Sequence, residues 1–378
     1  MSSHGCELPA VLSNSRTRVV FGAGTLAELG TITKREGGGN VLLVTDPGIV
    51  AAGHVDRAIN SLRNAGLKVT VFDGVEENPT TLHVDAGVMA ARHHSIDFLI
   101  GLGGGSAMDC AKGINFIFTN GGKMSDYWGV NKAKKPMLPM VAVPTTAGTG
   151  SEAQSFALIC DPITHRKMAC GDAKAACRVA ILDPDLTRTC PQHVTAAAGI
   201  DAVAHAVETA GTTKRNNVSL EMSRQAWTRL DAAFEKAMRD PHNDDAHAVM
   251  LLGAHLAGAA IEQSMLGAAH ACANPLTARL GITHGIAVGV MLPHVVRFNC
   301  TGDDNPYAVL SNDPEALAQR IETMLEAGKL PRRLADCSVP EDILPVLAIE
   351  AAKQWTAAFN PRPVGSGELL EIYRKAYR

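Results

Sequence analysis

Four side chains in the second half of the sequence have the types and spacing to hold a metal ion. Asp201 and His205 lie in the run Gly199-Ile200-Asp201-Ala202-Val203-Ala204-His205. Residues four apart are about one turn of an α-helix, so both side chains stand on one face and can share a cation. His270 and His284 follow, each among small and apolar residues: Leu266-Gly267-Ala268-Ala269-His270 and Gly281-Ile282-Thr283-His284-Gly285. A histidine in such surroundings is either satisfied by a local hydrogen bond or is a ligand. For any one of them alone, packing is the commoner explanation; the argument rests on the set. One carboxylate and three imidazoles suit a borderline divalent ion, Fe2+ or Zn2+, with Mn2+, Co2+ or Ni2+ next, and do not decide between iron and zinc. His255, on an Ala/Gly/Leu helix, and His294, in Met291-Leu292-Pro293-His294, read as packing or capping residues.

A second set of residues could hold phosphates. The apolar stretch Asp97-Phe98-Leu99-Ile100-Gly101 reads as a buried strand and runs into Gly103-Gly104-Gly105-Ser106, where a helix starts. Glycine lets a phosphate approach the backbone without a Cβ in the way. The free N–H groups and dipole of the helix start favour an anion, and Ser106 adds a hydroxyl or a cap. The string is not GxGxxG, so the usual dinucleotide fingerprint is absent. A tight turn without a ligand explains the glycines equally well on their own. The loop Pro144-Thr145-Thr146-Ala147-Gly148-Thr149-Gly150-Ser151-Glu152 also follows a core strand and gathers hydroxyl side chains and glycines. In a doubly wound sheet both loops emerge at the carboxyl ends of strands, where ligands bind. Asp46, just after Val41–Thr45, could accept from an adenosine ribose and would repel a 2′-phosphate, which favours NAD over NADP. The alternative is a turn-forming Asp ahead of Pro47-Gly48.

These loops need elements to carry them. The first half alternates strand and helix signals: strands over 41–45, 68–72, 97–101 and 140–143, with helices over 54–65 and 81–93 and from the glycine loop onward. Strand, helix, strand at this spacing gives βαβ units and a parallel sheet, and continuous apolar strands fit a sheet covered on both faces. After about Leu186 the strand runs fade, and helical stretches dominate over 195–209, 219–236, 246–263 and 314–326. We therefore expect an α/β nucleotide-binding domain over 1–186 and an all-helical metal and substrate domain over 187–378.

The bulk composition agrees. A chain of 378 residues suits two domains, and 46% hydrophobic with 19% charged residues is a globular mixture. A net charge of −3 calls for neither nucleic acid nor an anionic membrane as partner. Nine cysteines without a CxxC pair fit neither a disulfide framework nor a thiolate zinc site. Free thiols and a reducing compartment are expected. The N-terminus has no basic stretch followed by an apolar run, so no signal peptide is expected and the location should be cytoplasmic.

Together these motifs resemble the iron-containing (group III) alcohol dehydrogenases, relatives of lactaldehyde reductase and 1,3-propanediol dehydrogenase. The matching segments run from Val71–Val75 and Glu77–Thr80 through Gly103–Lys112, Asp126-Tyr127, Pro144–Glu152, Asp183–Thr187 and Gly199–Glu208. They continue to His284-Gly285, Leu292–His294 and Phe359–Arg362. The resemblance implies a dehydroquinate synthase-like fold, homo-oligomers, and a divalent metal on Asp201, His205, His270 and His284. It also implies an NAD site on Asp46, Asn78, Gly104, Gly105, Ser106, Thr145, Thr146, Thr149, Ser151 and Lys167. One departure stands out. Where the family carries a histidine thought to sit near the substrate, this chain has Asn274 in Asn274-Pro275-Leu276-Thr277. Asparagine hydrogen-bonds a hydroxyl but is neither acid nor base near pH 7. The implied activity is interconversion of a small alcohol and its aldehyde or ketone. Two alternatives stay open: another reaction on the same fold (glycerol dehydrogenase, maleylacetate reductase, hydroxy-acid dehydrogenase or a dehydroquinate synthase-like lyase), or a nucleotide-binding protein that has lost turnover.

Overall fold

A computed structural model of the chain describes residues 8–164, 166–301 and 304–378. These fall into two compact units, one of residues 8–146 with Ser151–Cys190, the other of Ala147–Gly150 with Pro191–Arg378.

The first unit is α/β. Its strands are β1 (Arg18–Phe21), β2 (Asn40–Val44), β3 (Lys68–Phe72), β4 (Phe98–Gly103), β5 (Gly129–Val130), β6 (Met140–Pro144), β7 (Phe156–Cys160), β8 (Lys167–Gly171) and β9 (Val179–Leu182). Its helices are α1 (Leu29–Arg35), α2 (Pro47–Ala51), α3 (His54–Asn64), α4 (Thr81–His93), α5 (Gly105–Asn120) and α6 (Pro184–Thr187). A six-stranded parallel sheet has the order β1-β9-β6-β4-β2-β3. The apolar run in β2 splits by its period of two. Val41 and Leu43 join Phe98, Ile100 and Val141 on one face, and Leu42 and Val44 join Leu99, Met108 and Ile114 on the other. The chain leaves β3 at the edge and returns past β2 to β4, so a switch point lies between β2 and β4. Val44 pairs with Gly101 in register, so Asp46 and Gly103–Ser106 emerge at the same end of the sheet. That is where ligands bind in open α/β sheets. A small second sheet, β5-β8-β7, has β7 and β8 antiparallel.

The second unit is helical: α7 (Gln192–Gly211), α8 (Asn217–Arg239), α9 (Asp244–Gln263), α10 (Ala268–Leu280), α11 (His284–Asn299), α12 (Pro314–Ala327), α13 (Leu344–Ala351) and α14 (Ser366–Tyr377). Side-chain caps start several of them: Asn216 accepts from Val218 N and Ser219 N, Asn243 from Ala246 N, and Asp313 from Glu315 N and Ala316 N. Helix α7 is buried along its whole second half because Ala and Gly let α8, α9 and α11 approach closely. Among the described residues no single helix is long and apolar enough to cross a membrane.

The sequence suggests a division near Asp185-Leu186, whereas the chain divides after Cys190 and lends Ala147–Gly150 to the helical unit. Helix α6 explains the shift. Asp183 caps it at Asp185 N and also accepts from Gly24 N and Leu26 N, each at 3.0 Å, while Leu186 is buried with the apolar residues of the sheet. Residues 147–150 go the other way because Gly150 touches Gly258 of α9 backbone to backbone, and Gly148 touches Ala198 of α7. Among the described residues no disulfide is formed.

Candidate metal centre and nucleotide loops

Three helices of the helical unit build the candidate metal site. Asp201 and His205 project from one face of α7, His270 from the first turn of α10, and His284 is the first residue of α11. The last placement depends on Gly285. A Cβ there would lie 2.0 Å from the Ala197 carbonyl oxygen and 3.3 Å from Asp201 Cβ, so α11 can cross α7 at backbone contact only with glycine. That contact brings His284 beside Asp201.

Asp201, His270 and His284 each offer a ligand atom, and these atoms lie within 4.8 Å of one another. His205 flanks the group rather than completing it at that spacing. Its Nε2 is 3.5 Å from Asp201 Oδ1, and its ring stacks on His270 with centroids 4.9 Å apart. Asp201 Oδ1 and His270 Nε2 face each other at 3.5 Å, both buried and without a hydrogen-bond partner among the described residues. Buried polar atoms are rarely left so. Two ligand atoms bound to one zinc-like ion at about 2.1 Å and near-tetrahedral angles would lie about 3.4 Å apart. The residues therefore fit a divalent ion.

The charges in the site point the same way. Burial pushes the Asp201 carboxyl up, but the imidazoles of His205, His270 and His284 outweigh it and hold it well below the usual range. Burial lowers His205, opposed by Asp201. Burial also disfavours charge on His270, yet Glu208 and Asp201 reverse this and push it up to about 9. The cluster thus attracts positive charge.

Glu208 has no role in the sequence reading. It is 3% exposed and lies on the face of α7 that carries Asp201 and His205. One carboxylate oxygen meets His270 Nδ1 at 2.5 Å and the other accepts from Ala269 N at 2.7 Å. A carboxylate on Nδ1 fixes the tautomer and leaves Nε2 as the ligand atom. Asn274 stands one turn beyond His270 on α10 and donates from Nδ2 to Gln354 Oε1 at 3.1 Å.

The nucleotide candidates divide between the units. Asp46 caps α2, its Oδ1 accepting from Ile49 N at 3.1 Å, so the turn role is real and one oxygen remains for another partner. Gly104 caps α5 with Gly105 and Ser106 in its first turn, all half-buried. Asn78 holds a left-handed backbone, φ 53°, just before Pro79. Thr145 is 3% exposed and its N–H donates to Gly103 O at 2.9 Å, tying the two loops together; Thr146 is half-buried. Lys167 opens β8, paired in register with Cys160. Thr149 belongs to the segment that packs with the helical unit.

Ser151 is engaged within the protein. Its hydroxyl donates to Asp109 Oδ1 at 2.5 Å and accepts from Lys112 Nζ at 2.9 Å, so it serves the protein interior. Lys112 is fully buried on α5 and also donates to Ser151 O and Phe156 O. Taking an ammonium out of water costs several kcal/mol; these acceptors and Asp109, 3.7 Å away, offset it. Burial raises the Asp109 carboxyl, against the pull of Lys112 and Ser151. The network pins the end of the hydroxyl-rich loop to α5.

Residues 16–184 match the family described as iron-containing alcohol dehydrogenase, and residues 195–377 its C-terminal part. The chain is 35% identical to alcohol dehydrogenase 4 of Schizosaccharomyces pombe, over 94% of this chain and 87% of that one. It is 32% identical to the NAD-dependent methanol dehydrogenase of Bacillus methanolicus, over 94% and 97%. A crystal structure of a 1,3-propanediol oxidoreductase superposes with a TM-score of 0.90 at 32% identity, covering 95% of this chain and 98% of that one. With both of its parts matched and a fitting ligand group in the helical one, the chain belongs to the iron-containing alcohol dehydrogenase family and is an enzyme of that oxidoreductase class.

Proposed function

We propose that this enzyme is an NAD-dependent, metal-activated alcohol dehydrogenase that interconverts a small alcohol and its aldehyde or ketone by hydride transfer. The observation that carries this reading is the group of Asp201, His270 and half-buried His284, in which the buried atoms Asp201 Oδ1 and His270 Nε2 have no hydrogen-bond partner among the described residues. A divalent ion, Fe2+ first and Zn2+ as the alternative, supplies Lewis acidity toward a substrate oxygen. The nicotinamide carries the hydride chemistry. Asp201, His205, His270 and His284 hold the ion, and Glu208 keeps His270 aimed. The N–H groups of Gly104, Gly105 and Ser106 take the pyrophosphate, with Asn78, Thr145, Thr146, Thr149 and Lys167 as further contacts to the dinucleotide. Asn274, oriented by Gln354, donates or accepts a hydrogen bond beside the substrate but shuttles no proton near pH 7. Proton exchange with the substrate oxygen then runs through water. A homodimer or larger homo-oligomer in the cytoplasm completes the reading.

NAD is favoured over NADP by Asp46 at the carboxyl end of β2, and the name of the methanol dehydrogenase of Bacillus methanolicus supports it. Asp46→Ser is expected to raise the NADP+ to NAD+ ratio of kcat/KM by about 10- to 100-fold, because a like charge no longer meets the 2′-phosphate. An unchanged ratio would remove Asp46 from the ribose site.

Absorbance at the NADH band, followed with a panel of small alcohols, diols and aldehydes, tests the whole reading. Turnover that disappears on chelation and returns with Fe2+ or Zn2+ is expected. Silence across the panel with metal and NAD both bound would favour a nucleotide-binding protein without turnover.

A further inference from the structure

Helix α10 starts without a local cap. Its N-cap is Gly267, which has no side chain to accept from the first free N–H groups. Two side chains far away in sequence do so. Asn360 Oδ1 accepts from Ala268 N at 3.2 Å, and Glu208 Oε1 accepts from Ala269 N at 2.7 Å. A Cβ on Gly267 would lie 3.1 Å from both of these oxygens, tighter than ordinary contact, so the missing side chain makes room for the two remote caps. The next residue is His270.

Asn360 is itself held on every side. Its Nδ2 donates to Asn299 Oδ1 and to Arg362 O, both at 2.6 Å. Asn299 Nδ2 donates back to Asn360 Oδ1 at 3.1 Å and to Tyr307 Oη at 2.6 Å. Asn360, Asn299 and Tyr307 are 4%, 2% and 1% exposed. A buried, interlocked network of this kind rigidifies what it touches.

We propose that Asn360, locked by Asn299 and Tyr307, is a positioning residue that fixes the first turn of α10 and so aims His270 Nε2 at the ion. Glu208 sets the tautomer of His270, and Asn360 sets the backbone from which it projects. The inference rests on the metal reading above. It assigns the network a task beyond packing: without Asn360 the first turn of α10 keeps only the Glu208 cap, and the ligand atom loses its fixed position.

Zn2+ affinity of the full chain, measured by competition with a chromophoric chelator and with circular dichroism on the same samples, tests this. Asn360→Ala is expected to weaken Zn2+ binding 10- to 100-fold at unchanged helix content, the usual cost of removing a group that orients a ligand. Tyr307→Phe removes only the hydroxyl at the far end of the network and is expected to cost less than tenfold. Gly267→Ala reaches the same junction from the other side, is expected to match Asn360→Ala, and decides the matter should Asn360→Ala not fold. Arg362→Ala keeps the backbone carbonyl that Asn360 uses and removes a hydrogen bond and a ring contact to Phe298, so its affinity should stay that of wild type. The proposal is overturned by a folded Asn360→Ala or Gly267→Ala with wild-type affinity, or by Arg362→Ala costing as much as Asn360→Ala. A wild-type chain that takes up no Zn2+ would instead overturn the metal reading.

Discussion

Asp201→Asn is expected to lower affinity for Fe2+ or Zn2+ by on the order of 1000-fold and to remove turnover with it. Loss of a group that merely orients a ligand costs 10- to 100-fold, and Asp201 is a ligand, so its loss must cost more. It is also the one anion in the proposed ligand set. Asparagine has nearly the same shape, so the loss reports charge and donor strength rather than a cavity. The surroundings sharpen the effect: the carboxylate is buried among the imidazoles of His205, His270 and His284, which hold it well below the usual carboxylate range. Metal titration by isothermal calorimetry, with NADH-linked turnover on the same preparation, reads both changes. Wild-type affinity in Asp201→Asn would mean that the ion, if bound, sits elsewhere.

Gly285→Ala is expected to be nearly as damaging for a different reason. The added Cβ would fall 2.0 Å from the Ala197 carbonyl oxygen, and that neighbour is backbone, so no side-chain rotation relieves the clash. Helix α11 must move away from α7. Overpacking of this kind costs about 1–3 kcal/mol, which in a chain of this size lowers Tm by roughly 2–10 °C. The separation also carries His284 away from Asp201. A displacement of about 1 Å at a reacting centre costs on the order of 100-fold in rate. Scanning calorimetry and the turnover assay measure the two effects separately. A variant with wild-type Tm and wild-type turnover would show that α7 and α11 do not meet at Gly285.

The difference between these two substitutions shows which information lies near the surface of a sequence. The shared helix face of Asp201 and His205 was legible because their spacing is about one helical turn. The strands β2, β3, β4 and β6 were legible because each is a short apolar run next to a turn signal, and α4 was legible to its ends. Glu208 carried a signal that went unused: it is seven residues beyond Asp201 and three beyond His205, hence on the same face. The role of Gly285 was not legible, since a glycine in a Gly-rich stretch gives no hint of which backbone will press against it. The interior contacts of Ser151 were not legible because they depend on Asp109 and Lys112, both about forty residues earlier. Strands β7 and β8 were missed because FALIC and KMACG pair across a turn closed by Asp161, whose Oδ1 accepts from Ile163 N and Thr164 N; neither segment alternates clearly. Asn360 and Asn299 have partners spread over three parts of the chain, and only the fold brings these together.

Elemental analysis of the purified chain beside Asp201→Asn and His270→Ala, after reconstitution with Fe2+ or Zn2+ and removal of loose ions, bears most directly on the claim that these helices share one cation. One tightly held ion per wild-type chain, and none in either variant, is the result foreseen. Equal metal content in all three proteins, or none in any, would contradict it.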